Sequence, residues 1–124
     1  MNVKALAFNL EMEEEEFLDL LKLFFESSVS DLNVLQTALQ KRETLKIAGA
    51  AHSIKGAATN LGLTEIFELT KNMEWAAREN HLHPIQEWTR ALQKKLDQIA
   101  ETLDLSRQKA GSRRASSVKD FKTP

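Results

Sequence analysis

Apolar residues in this chain recur every three or four positions, in several separate runs, and nowhere do they alternate as a strand requires. That period is helical, because each residue turns about 100° around an α-helix axis and positions i, i+3 and i+4 share a face. Phe17, Leu18, Leu20, Leu21, Phe24 and Phe25 predict an amphipathic helix over about residues 12–27. Glu13 to Glu16 place negative charge at its start, against the positive end of the helix dipole. Ser27, Ser28 and Ser30 interrupt the run, and Ser30 or Asp31 is a candidate cap for a second segment bearing Leu32, Leu35 and Leu39 to about residue 42. The pattern leaves open whether these are one kinked helix or two. Thr44 begins a helix ending near Leu61, with Gly62 as a natural stop. Thr64 is a candidate cap for the next, whose inward stripe is Ile66, Leu69, Met73 and Ala77, ending near Asn80. Pro84 suits the first turn of a last helix over about 84–105, with Ile85, Trp88, Leu92, Leu96, Ile99 and Leu103 spaced by three and four. Met1 to Phe8 reads as a short helical turn. Short links between helices of this length predict antiparallel neighbours: an all-α, up-and-down four-helix bundle with a short N-terminal helical extension.

One stretch breaks the rule that helix interiors avoid glycine. Around Ile47-Ala48-Gly49-Ala50-Ala51-His52-Ser53-Ile54-Lys55-Gly56, the residues Ile47, Ala50, Ile54, Ala57, Ala58 and Leu61 gather on one side. His52 falls roughly opposite, sharing its face with Ala48, Gly49, Lys55, Gly56 and Thr59. An interior glycine costs a helix about 1 kcal/mol relative to alanine. Two of them flanking one histidine predict an imidazole laid bare for the close approach of another surface.

The chain of 124 residues fits one domain with a modest core. It is 42% apolar and 28% charged and has no cysteine, so disulfides, thiol catalysis and thiolate metal sites are excluded. The most apolar stretch, Phe17 to Phe25, is broken by Asp19 and Lys22 and is too short to span a bilayer. No secretory leader pattern is visible, so the expected location is cytoplasmic. The net charge of −1 conceals an asymmetry: residues 107–124 carry six basic side chains against Asp120. The expected division is therefore a domain over 1–106 and a basic tail over 107–124, disordered or ordered only on binding. That charge without interleaved aromatics is a weak footprint for nucleic acid, and neither nucleic acid nor membrane is an expected partner.

The run His52-Ser53-Ile54-Lys55-Gly56, with Gly62 ten residues after the histidine, resembles the histidine-containing phosphotransfer (HPt) domain family over about residues 5–105. The family's pattern is His-x-(Leu/Ile)-Lys-Gly with that later glycine. The resemblance implies a phosphorelay intermediate: His52 accepts a phosphoryl group from a receiver-domain aspartate and passes it to another receiver. It implies that Glu74, on the next helix, accepts a hydrogen bond from Nδ1 and so fixes the tautomer that attacks through Nε2. Lys55 would offer positive charge to the phosphoryl oxygens, and Arg78, one turn beyond Glu74, would assist. Ala48, Gly49, Gly56, Thr59 and Arg78 would meet the partner. The partners implied are response-regulator receiver domains and a hybrid sensor histidine kinase.

Neutral imidazole is a good nucleophile, and a free imidazole titrates near about 6.5, which suits this role. There is no phosphate-binding Gly-rich loop, kinase loop or receiver-like acidic cluster, so the expectation is a phosphocarrier and not an enzyme. No cofactor of its own is expected; Mg2+ would come with the partner receiver. The alternative is a helical adaptor that docks response regulators without carrying phosphate. The His81-x-His83 pair could bind zinc but lacks a third ligand at proper spacing, and the spacing of the three histidines gives a metal-dependent enzyme little support. Glu13 to Glu16 are explained by the helix dipole without a metal, and Trp75 and Trp88 are expected in packing. Arg113-Arg114-Ala115-Ser116 resembles a basic-directed serine phosphorylation site.

Overall fold

The computed structural model describes residues 1–113, with side chains to residue 108. The regular elements among these residues are all helices: α1 (Val3–Asn9), α2 (Glu14–Gln40), α3 (Thr44–Leu61), α4 (Thr64–Arg78) and α5 (His83–Arg113). Helices α2 to α5 pack in an up-and-down bundle, α2 against α3 and α5, and α4 against α3 and α5. α1 lies against α2, the short extension the pattern predicts.

The interrupted N-terminal pattern resolves as one helix. Phe24, Ser28, Leu32 and Leu35 stay in phase on the buried face of α2, so a buried serine occupies the stripe without ending it. Asp31 is therefore no cap; its carboxylate accepts a hydrogen bond from the Ser53 hydroxyl of α3 at 2.8 Å. At the start of α2, Glu16 accepts from the Glu13 backbone N–H at 3.0 Å, satisfying one of the donors a helix end leaves open.

The core is made by the stripes read from the sequence. Phe17, Leu21 and Leu35 of α2, Ile47 and Ile54 of α3, Met73 of α4, and Ile85, Leu92, Leu96 and Ile99 of α5 are fully buried. At roughly 25 cal/mol per Å² of apolar surface, their burial outweighs the exposed ion pairs. α3 ends at Gly62, whose φ of 70° is a left-handed cap that a side chain resists. Only Gly62 and Leu63 separate α3 from α4. Thr64 is the first residue of α4 and not its cap, which is Leu63; the Thr64 hydroxyl turns back to the Gly62 carbonyl at 3.4 Å. Lys95 of α5 pairs with Glu65, tying α5 to the start of α4.

α5 continues to Arg113, past the boundary expected near 105. The apolar stripe stops where the bundle stops, but main-chain hydrogen bonding does not need burial. Residues 107–113 of the expected tail are thus helical, and 114–124, with Ser116 of the serine motif, lie outside the described residues. Among the described residues no helix is long and apolar enough to cross a membrane.

Candidate functional site

His52 lies midway along α3 with its side chain 63% exposed. Leu45, Gly49, His52 and Gly56 follow at spacings of four, three and four, a single outward stripe. A Cβ added at Gly49 or Gly56 would meet no atom within 4 Å. Nothing inside this protein therefore requires glycine at either position, and the imidazole stands on a surface stripped of side chains on both sides.

The flank of α3 turned towards α4 carries Ala48, Ala51 and Lys55. Ala48 is 1% exposed and cannot meet a partner, contrary to the sequence expectation. The reason is the azimuth of α4: it packs onto α3 beside the histidine, and the two alanines permit that close contact. Gly49, Gly56 and Thr59 are exposed as expected. The Thr59 hydroxyl donates to the Lys55 carbonyl at 3.0 Å, so its proton is committed, while its methyl and the oxygen's acceptor lone pairs stay free.

From α4, Glu74 faces His52 and is only 8% exposed. Its Oε2 lies 3.1 Å and its Oε1 3.3 Å from His52 Nδ1. Lys55 Nζ donates to Oε1 at 2.8 Å. Arg78 donates to Oε2 through Nη2 at 2.9 Å and through Nε at 3.3 Å. Burial on its own pushes the Glu74 carboxyl up; hydrogen bonds from Lys55, Arg78 and His52, with the charge of Lys55, outweigh it and hold the group at about 2. An ionised carboxylate only accepts hydrogen bonds, so the bond to Nδ1 requires the proton on that nitrogen. The neutral ring then carries its lone pair on Nε2, turned away from Glu74. Such a ring can attack an electrophile brought from outside.

The structure brings His52, Lys55, Glu74 and Arg78 into one cluster. Lys55 is committed to Glu74 in this state, and Arg78, expected at the partner surface, is also bound to Glu74. The spacing of four between Glu74 and Arg78 was the available signal for that pair. Leu45 escaped the sequence reading. It is 78% exposed, seven residues before His52 on the same stripe, and its phase against the inward stripe would have marked it. Trp88 is half-buried, but Trp75 is 60% exposed, set edge-on to His81 with ring centroids 5.9 Å apart. Among the described residues no group of three or more His, Asp or Glu side chains is placed to hold a metal ion.

This geometry can be set against known proteins. A family model described as the Hpt domain matches residues 19–102, well over half of the chain. The crystal structure of histidine-containing phosphotransfer protein B from Pseudomonas aeruginosa PAO1 is similar, with a TM-score of 0.73 and 26% sequence identity, covering 86% of this chain and 92% of that one. No curated protein matches. The chain belongs to the Hpt domain family, the histidine phosphotransfer proteins of phosphorelay signalling.

Proposed function

We propose that His52 is the phosphoryl carrier of this protein, loaded by the aspartyl phosphate of one receiver domain and unloaded onto the aspartate of another. The observation that supports it most is the ring itself: a side chain 63% exposed with Nδ1 engaged by an anionic Glu74, Nε2 on the other edge of the ring, and bare glycines on either side. In the transfer, Nε2 attacks phosphorus, the N–P bond forms and the bond from phosphorus to the aspartyl oxygen breaks. The donor leaves as a carboxylate. The proton stays on Nδ1, facing Glu74, so no base has to remove it. Return to an acceptor aspartate runs the same step backwards.

Lys55 supplies charge to the phosphoryl oxygens, while Gly49, Gly56, Thr59 and Leu45 form the contact surface. Mg2+, brought by the receiver and not by this chain, would offset charge on the phosphoryl group. The partners are receiver domains and, upstream, a hybrid sensor histidine kinase, all in the cytoplasm. Without a nucleotide-binding motif the chain acts as a phosphocarrier and not as a kinase.

Incubation with a phosphorylated receiver tests this. Wild type should gain acid-labile, alkali-stable label and His52→Gln should gain none. Equal labelling of the variant overturns the assignment to His52. Receiver binding without any label on wild type would point to a docking adaptor instead.

A further inference from the structure

Glu74 has more cationic partners than a single carboxylate needs. Lys55 and Arg78 reach it from different helices and take different oxygens, Oε1 at 2.8 Å and Oε2 at 2.9 Å. Lys71, another cation on that flank of α4, pairs instead with Glu68 at 3.8 Å. The two partners differ in character. Arg78 sets a planar guanidinium against Oε2 with two donors, while Lys55 is a flexible point charge on the same helix as His52, one turn away.

Lys55 cannot serve Glu74 and a phosphoryl group equally at the same moment. When a phosphoryl group arrives at Nε2, its three oxygens draw the Lys55 ammonium outwards. If Lys55 were the sole counter-charge, its departure would leave a largely buried carboxylate unpaired, a costly state that opposes the movement. Building on the phosphotransfer reading above, we infer that Arg78 is a positioning residue that keeps Glu74 ionised and aimed at Nδ1, so that Lys55 is free to pass from Glu74 to the phosphoryl group. Arg78 acts through Glu74, the carboxylate its guanidinium holds with two donors, and this role requires no contact of its own with the phosphoryl group. Its place one turn after Glu74 makes it the cation that stays when Lys55 leaves.

The test compares wild type, Arg78→Gln, Arg78→Lys and His52→Gln as intact chains, with a phosphorylated receiver as donor and nitrogen-15 spectra of the His52 ring as second readout. Arg78→Gln should load about tenfold more slowly, in line with loss of a charged hydrogen bond. Arg78→Lys should restore most of the rate. Before phosphorylation, Arg78→Gln should keep the proton on Nδ1, because Lys55 still holds Glu74. After phosphorylation its Nδ1 resonance should lose the signature of the Glu74 hydrogen bond that wild type retains. Arg78→Gln loading at the wild-type rate, or an unchanged Nδ1 signature in its phosphorylated form, overturns the inference while leaving the carrier role of His52 intact. Absence of label on wild type, or equal label on His52→Gln, overturns the carrier reading and the inference together, whereas label confined to His52 with Arg78→Gln matching wild type overturns the inference alone.

Discussion

Replacing Gly49 or Gly56 by alanine should make this protein more stable and less able to transfer. Both lie inside α3, where glycine costs about 1 kcal/mol relative to alanine. The structure supplies the other half of the sum, because an added Cβ at either position meets nothing within 4 Å and so brings no clash to subtract. Each substitution should therefore gain close to the full propensity difference, about 1 kcal/mol, and the pair about 2. For a domain of this size that is a rise in Tm of roughly 4 °C per substitution. Circular dichroism melts and urea unfolding measure it directly. Transfer should move in the opposite sense, because the new methyls stand one turn either side of the path to Nε2. The loss should be modest for alanine and severe for Gly56→Leu, which should still fold. A fall in stability on alanine substitution would show that the space is not free. A transfer rate that survives Gly56→Leu would dispose of the close-approach argument.

The depressed Glu74 carboxyl makes a pH prediction. Held at about 2 against an ordinary 4.5, it contributes stability that is complete above pH 4.5 and lost as pH falls towards 2. The gap in urea midpoint between wild type and Glu74→Gln should thus be widest near neutrality and narrow over that acid interval; a constant gap refutes it. Leu45→Ser should leave stability within about 0.5 kcal/mol yet weaken receiver binding severalfold by calorimetry, and undiminished binding removes Leu45 from the contact surface. Gly62→Ala, forced to a φ of 70°, should cost about 1 kcal/mol or more in urea unfolding, with Gly62→Asn milder because asparagine tolerates that region better; a neutral alanine would contradict the cap.

Much of this architecture was legible because apolar spacing reports which face of a helix is buried. Ile54 and Leu92 follow from phase alone. Ala48 shows the limit of that method. Phase gives an average inward direction, whereas burial at the margin depends on the side from which a neighbour approaches, and α4 lies on the flank that carries Ala48. The serines of α2 misled for a related reason: their preference for helix ends is weak beside the packing of Phe24, Leu32 and Leu35, so Ser28 was absorbed into the buried face. α5 outran its stripe because amphipathic pattern detects packing and not helicity. At the site, His52, Lys55 and Gly56 were visible as a motif. That Lys55 holds Glu74 was not, because ion pairing between α3 and α4 depends on the rotation of one helix against the other.

That rotation is set by very little chain. His52 and Glu74 are joined through the rest of α3, the two residues Gly62 and Leu63, and the first part of α4, so the connector works as a length gauge. One residue added or removed there turns Glu74 by about 100° around its axis and carries the carboxylate away from the imidazole. Surface loops ordinarily absorb insertions. Between α3 and α4, a single extra residue would leave a folded bundle whose histidine has lost its anchor.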